Sequence, residues 1–198
     1  ELRFGGDFRE KLRDYNSRIR CSEDELAFVR DEKLRKIVGF CYEQVPFYRD
    51  MFNEGGINPD SIKTMDDLSA LPILDKQTVR ENVERIKPIS LDKIPHIVEH
   101  TSGSTGSSLI FPQSVDNVRD LWAVFWRFWN RLGIEFGPKY ADFGIRMIVP
   151  PAQKRPPFWR TSKSLFQLKF SAFHGNDENY MEYYEAIKSH GLKWIHGY

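Results

Sequence analysis

The spacing of apolar residues changes near residue 90, and that change limits the fold of this 198-residue chain more than any other feature. Before it, Leu26, Val29, Leu34, Ile37, Val38, Cys41 and Val45 recur mostly at steps of three and four. That is the spacing of a helix with one buried face. Ser22 and Glu25 form an S-x-x-E capping box ahead of it, and Pro46 stops it. Phe47–Phe52 supplies one further turn. Gly55-Gly56 and Asn58-Pro59-Asp60 carry turn chemistry. Thr64 starts a short helix that Pro72 ends, with Asp66 and Asp67 in its first turn, where the helix dipole favours acid. Asp75 caps another helix, about 76–85, and Pro88 and Pro95 bracket a connector.

Beyond Pro95 the pattern is that of strands. His96–His100 has a β-branched centre, a small-residue loop follows, and Leu109-Ile110-Phe111 is apolar again. Ser114 or Asp116 caps an aromatic helix that runs to Leu132, with Gly133 at its end. Phe143–Val149 and Leu165–Phe173 are predicted strands, separated by a loop at Pro150–Pro157. Asn176 or Asp177 caps a helix through Ser189 that Gly191 terminates, and Lys193–His196 begins a final strand. This order predicts an α/β fold: a helical segment over residues 1–90, then an α/β subdomain over 91–198 with a mixed, crossover-connected sheet. The last strand breaks off at Tyr198, which predicts a chain cut from something longer.

Charge and composition narrow the function classes. There are 29 Lys+Arg against 28 Asp+Glu, a net charge of +1, which gives no field for nucleic acid or an acidic membrane surface. No apolar run approaches the ~18–20 residues that cross a bilayer. Glu1–Arg20 lacks the apolar centre of a signal peptide. Two cysteines, Cys21 and Cys41, do not make a disulfide scaffold, so a cytoplasmic setting is expected.

The segment with the most chemistry is Thr101-Ser102-Gly103-Ser104-Thr105-Gly106-Ser107-Ser108. Glycines let successive N–H groups converge on an anion, and hydroxyls add donors at low bulk. The spacing is neither Walker A nor G-x-G-x-x-G. The bland alternative is a Ser/Gly/Thr linker. The tract is short and lies between two strands rather than between domains.

Thr101–Gly106 resembles the T-S-G-S-T-G phosphate loop of the adenylate-forming superfamily, in the branch of phenylacetate–CoA ligases and CapK-like proteins. Val45-Pro46-Phe47-Tyr48-Arg49, the stretch Ile57–Lys76 with Leu68, Leu71, Pro72 and Lys76, and Trp194–Tyr198 resemble further segments of that branch, in the same order. The resemblance implies the N-terminal portion of an adenylate-forming large domain. It implies ATP and Mg²⁺ as cofactors, a small-molecule carboxylate as substrate and coenzyme A as an acceptor. It places Thr101, Ser102, Gly103, Ser104, Thr105 and Gly106 on ATP, with Thr105 the foremost side-chain donor. Phe173-His174 resembles the superfamily's aromatic-His segment, so His174 becomes a candidate substrate residue. The branch usually has Lys and Pro where this chain has Ser107 and Ser108, which removes a cation from the loop. The adenine motifs, hinge and catalytic lysine of the superfamily lie downstream of Tyr198, so no catalytic residue is assigned and the fragment alone is expected to be inactive. A homodimer is an open partner. The alternative is a non-catalytic nucleotide- or anion-binding module, or an accessory protein of polysaccharide biosynthesis that kept the fold.

Four other features carry competing readings. His96–His100 spells H-x-x-E-H. On a strand its two histidines stand about 13 Å apart, too far for one metal, so no metal site is assigned. Trp122, Phe125, Trp126, Phe128 and Trp129 read as a buried helix packed on the sheet, against an aromatic wall for a substrate. Arg119, Arg127 and Arg131 read as a solvated face, and the cations of 154–160 as an exposed loop.

Overall fold

A computed structural model describes residues 2–101 and 108–197. The described chain is mixed α/β, helical at its amino end and carrying small sheets beyond residue 95. It divides into two compact units, Leu2–Arg127 and a second from Phe128 onward.

The first unit opens with α1 (Phe8–Ser17), α2 (Glu23–Gln44) and α3 (Pro46–Glu54). The Ser22 side chain accepts the Glu25 N–H while Glu25 accepts the Ser22 N–H, so the capping box forms as the sequence predicts. Pro46 does more than stop α2. It occupies the first turn of α3, where its missing N–H is no loss, and α3 runs nine residues, past the single turn expected. Leu34, Val38, Phe52 and Ile62 form the core between these helices. The Ile57–Lys76 stretch folds as two 3₁₀ turns, Pro59–Ser61 and Asp66–Ala70. The second is organised by Asp67, which accepts the N–H groups of Lys63 and Thr64 at 2.9 and 2.8 Å. Asp75 caps α4 (Lys76–Glu81) through the Thr78 N–H. This helix ends four residues before the expected Arg85, giving way to turns.

Strands β1 (His96–His100) and β2 (Ile110–Ser114) form an antiparallel two-stranded sheet of their own, not part of one sheet with the later strands. Ser114 Oγ accepts the Asn117 N–H, which settles the cap of α5 (Val115–Arg131). Helix α1 is tied to the first turns of α5 by charge. Lys11 reaches Asp116 at 3.0 Å and Asp120 at 3.2 Å, and Arg119 reaches Asp7 at 3.2 Å. Arg119 is therefore an ion-paired, half-buried side chain rather than part of a solvated face. Phe4 packs edge-on to Trp122 and Trp126, next to buried Phe8. Gly6 has φ +53, which favours glycine, and a Cβ there would lie 2.7 Å from the Arg119 guanidinium.

The second unit is a four-stranded sheet in the order β4-β5-β3-β6. Strands β3 (Tyr140–Phe143), β5 (Gln167–Phe170) and β6 (Ile195–Gly197) run parallel, and β4 (Trp159–Ser162) is an antiparallel edge. Helix α6 (Tyr180–Ser189) buries Tyr183 and Ala186 against Ala141, Phe158, Leu168 and Phe170. The structure corrects the sequence here. The strand expected at 143–149 lies at 140–143, because Tyr140 and Ala141 are the buried pair and pairing runs only to Asp142 on the β5 side and to Phe143 on the β6 side. Ile145 and Met147, apolar in sequence, are exposed. Strand β4 has no counterpart in the sequence reading, because its Arg, Thr and Ser lack an apolar alternation. The expected Leu165–Phe173 strand is only four residues long and turns into a 3₁₀ element at Ala172–His174. Asn176 caps a turn ahead of α6 by accepting the Asn179 N–H, so the helix starts at Tyr180.

Candidate functional site

The T-S-G-S-T-G tract sits between the two strands of the hairpin. Ser102, Gly103, Ser104, Thr105 and Gly106 lie outside the described residues; Thr101 and Ser108 lie within them. The hairpin draws the ends of the tract together. The Thr101 N–H donates to the Leu109 carbonyl at 3.0 Å, and the Leu109 N–H donates to Thr101 Oγ1 at 3.0 Å. Thr101, assigned to ATP from the sequence, therefore spends its hydroxyl as an acceptor closing the loop. Beside the hairpin is a cavity of about 540 Å³, between α4 and the following turns on one side and β1–β2 on the other. Its walls are mostly apolar, with Val83, Val98, Leu109 and Phe111, and Arg80 and Lys87 also line it. Lys87 is paired with Glu84 at 2.6 Å. His96 Nδ1 lies 2.7 Å from the Ile94 carbonyl, which makes Nδ1 the protonated nitrogen of the neutral ring.

The H-x-x-E-H segment is strand β1, with His96 and His100 both exposed. Among the described residues no group of three or more His, Cys, Asp and Glu side chains could hold a metal ion. Burial pushes the Cys41 thiol up, away from a reactive thiolate.

His174, the second sequence candidate, lies just past the carboxyl end of β5 in the second unit. Its imidazole is stacked on Phe158 at 4.8 Å, and its Nδ1 lies 2.7 Å from Ser171 Oγ. Its carbonyl accepts from the Asn179 side chain at 2.9 Å. Phe173, its aromatic neighbour, is exposed. One arrangement was missed by the sequence reading: Asp142 on β3 and His196 on β6 are directly opposite, with Oδ1 to Nδ1 at 2.9 Å. Trp129 meets His196 edge-on at 5.5 Å, and Trp194 stacks on Tyr140 at 4.0 Å. Fifty-four residues separate the pair, and only strand register brings them together. Both histidines belong to the carboxyl edge of the parallel strands, where open α/β sheets bind ligands.

The aromatic helix divides its residues. Trp126 and Trp129 are buried, whereas Phe125 and Phe128 are exposed together with Leu121 and Val124. It is thus not the fully buried helix that its composition predicts. The cations Lys154, Arg155 and Arg160 are exposed, as expected.

The chain is 28% identical to protein CapK of Staphylococcus aureus over 175 residues, 88% of this chain and 38% of CapK. It is 32% identical over 109 residues to the phenylacetate-coenzyme A ligase of Aromatoleum evansii, 53% of this chain and 24% of that enzyme. The chain is similar to CapK and to phenylacetate-coenzyme A ligases. The ligase of Thermus thermophilus matches likewise, 30% identical over 91 residues, 44% of this chain and 20% of that enzyme. The chain therefore spans well under half the length of the curated relatives it matches. No family model matches it. Among the described residues no helix is long and apolar enough to cross a membrane.

Proposed function

We propose that this chain is the N-terminal portion of an ATP-dependent, carboxylate-activating protein, with Thr101–Gly106 as its phosphate loop. The observation that supports this reading is the reciprocal Thr101–Leu109 pairing, which holds together the two residues that flank Ser102–Ser108 in the sequence. Ser, Thr and Gly are the residue types whose N–H and hydroxyl groups serve polyanion-binding loops. Relatives named as ligases of phenylacetate and coenzyme A support a carboxylate substrate and a thiol acceptor. In the chemistry proposed, a carboxylate oxygen bonds to the α-phosphorus of ATP and the bond to pyrophosphate breaks. The acceptor sulfur then bonds to the acyl carbon, AMP leaves, and the thiol proton is released. Mg²⁺ would neutralise phosphate oxygens in such a site, where it usually keeps most of its waters. Residues 91–198 would supply the loop-bearing part of the adenylate-forming domain, and 1–90 its helical lead-in.

ATP binding tests the reading. Thr105→Ala and Ser104→Ala are expected to weaken binding of labelled ATP about tenfold each, the size of a lost hydrogen bond to a charged group. Unchanged binding in both refutes the loop assignment. Ser107 and Ser108, where the branch carries Lys and Pro, favour the second reading, a nucleotide- or anion-binding module without catalysis. Pyrophosphate release with a panel of carboxylates, measured on the protein extended beyond Tyr198, separates the two.

A further inference from the structure

His174 is held on several sides by residues that catalysis by a phosphate loop does not call for. The hydroxyl of Ser171 lies 2.7 Å from His174 Nδ1, and Ser171 itself is fully buried. The backbone of Ser171 is fixed at both ends. Its N–H donates to the Phe158 carbonyl at 2.9 Å, and its carbonyl accepts the Tyr183 hydroxyl at 2.8 Å. Phe158 stacks on the imidazole, and Asn179 holds the His174 carbonyl. The remaining ring atom, Nε2, is buried and has no hydrogen-bond partner among the described residues.

The proton count follows from these contacts. If Nδ1 carries the proton, it donates to Ser171 Oγ. The buried hydroxyl proton then has no acceptor, and the Nε2 lone pair has no donor, leaving two orphaned groups. If Nε2 carries the proton, the hydroxyl donates to Nδ1 and only the Nε2 N–H is left over. A protonated ring leaves two donors orphaned and buries a charge besides. Each orphaned buried group is costly, so the Nε2–H tautomer, with one fewer, is the stable one.

We propose that Ser171 is a positioning residue that locks His174 as the Nε2–H tautomer, making it a hydrogen-bond donor to a carboxylate oxygen rather than a base. This rests on the reading of His174 as a substrate-facing residue. A carboxylate accepts only, so it satisfies the one group that the tautomer leaves unpaired. His174 is itself the last residue of the single 3₁₀ turn Ala172–His174. That turn is exposed at Ala172 and Phe173, and its backbone bonds to Ser171 and Ala172 are long, at 3.4 Å each. Such a turn gives way at low cost.

Long-range ¹H–¹⁵N NMR of the imidazoles, in this chain and without ATP, tests the proposal. His174 is assigned by the signal missing in His174→Gln. Wild type is expected to show Nδ1 unprotonated and Nε2 protonated. Ser171→Ala is expected to shift both nitrogens towards a tautomer mixture. Tyr183→Phe, which leaves the Ser171 hydroxyl in place, is expected to keep the wild-type pattern. Because Ser171→Ala removes a buried group, Ser171→Cys serves as a second variant that keeps the volume with a weaker donor, and an intermediate pattern is expected. Titration with acetate and phenylacetate is expected to move the Nε2 resonance, while inorganic phosphate leaves it in place, and Ser171→Ala weakens the phenylacetate response about tenfold. A protonated Nδ1 in wild type overturns the tautomer. A Nε2 signal unmoved by either carboxylate, or moved only by phosphate, overturns the carboxylate assignment. Neither result depends on nucleotide, so failure of the phosphate-loop reading would show separately, in ATP binding.

Discussion

Asp67 accepts the N–H groups of Lys63 and Thr64 and the Thr64 hydroxyl, and these bonds hold its carboxyl below the ordinary value of 3.8. A carboxyl depressed in the folded state binds its proton more readily in the unfolded chain. Its contribution to stability is therefore complete above the ordinary value and is lost as the pH falls through the lower, folded value. Urea unfolding of wild type and Asp67→Ala between about pH 5 and about pH 2 should show the two curves converging at the acid end. A gap that stays constant across this range would refute the assignment. Ser22 makes a simpler case. Ser22→Ala removes the side-chain arm of the capping box, leaving the Ser22 N–H bonded to Glu25, and should cost about 1 kcal/mol in the same measurement, with no change of slope. The caps at Ser22 and Asp75 are legible in sequence because a cap is a contact across three residues. Ser171 beneath His174 is also a three-residue contact, but nothing in F-S-A-F-H marks the serine as buried. The Asp142–His196 pair has no local mark at all, since it exists only once β3 and β6 are in register.

At the scale of the element, local chemistry and pairing contribute differently. Helices α2 and α5 follow from capping and spacing, and β1 from its β-branched centre. The displaced strand near residue 140 shows the limit. Ile145, Met147 and Val149 look more strand-like than Tyr140–Phe143, but partners on both sides select the latter. Edge strand β4 needs a partner on one side only and so tolerates Arg, Thr and Ser. The hairpin gives a prediction at this scale. Thr101→Val removes the acceptor for the Leu109 N–H while keeping the backbone pair. The Leu109 amide should then exchange with solvent several-fold faster, with little change at Val98 or Pro112's neighbours deeper in the ladder. Exchange that is unchanged at Leu109 would show that the hydroxyl does not close the loop. The same variant should weaken ATP binding by less than Thr105→Ala, because it acts only on the loop's ends.

For the whole molecule, the distribution of apolar surface is the informative quantity. Ile73, Val98, Ile110, Phe128 and Ile195 are each more than half exposed, and chains with such surface bind hydrophobic dyes. The isolated chain should enhance 8-anilinonaphthalene-1-sulfonate fluorescence in its folded state, and Val98→Lys with Ile110→Lys should reduce that signal without lowering the melting temperature. Equal fluorescence in the double variant would locate the dye elsewhere. The α/β class and the likeness to CapK and the phenylacetate-coenzyme A ligases were legible from sequence, and so was the order of elements apart from β4. The separation of the hairpin from the later sheet was not, since strand count and order do not say which strands share hydrogen bonds.

The Lys11 ammonium is subject to burial, which lowers its proton affinity, and to the carboxylates of Asp116 and Asp120, which outweigh burial and raise it. Together with Phe4 against Trp122 and Trp126, this makes residues 2–17 a plug rather than a tail. Trimming them to obtain a shorter, tidier protein would uncover the Trp126 indole and strand two aspartates, so a truncated product should emerge from expression as insoluble material.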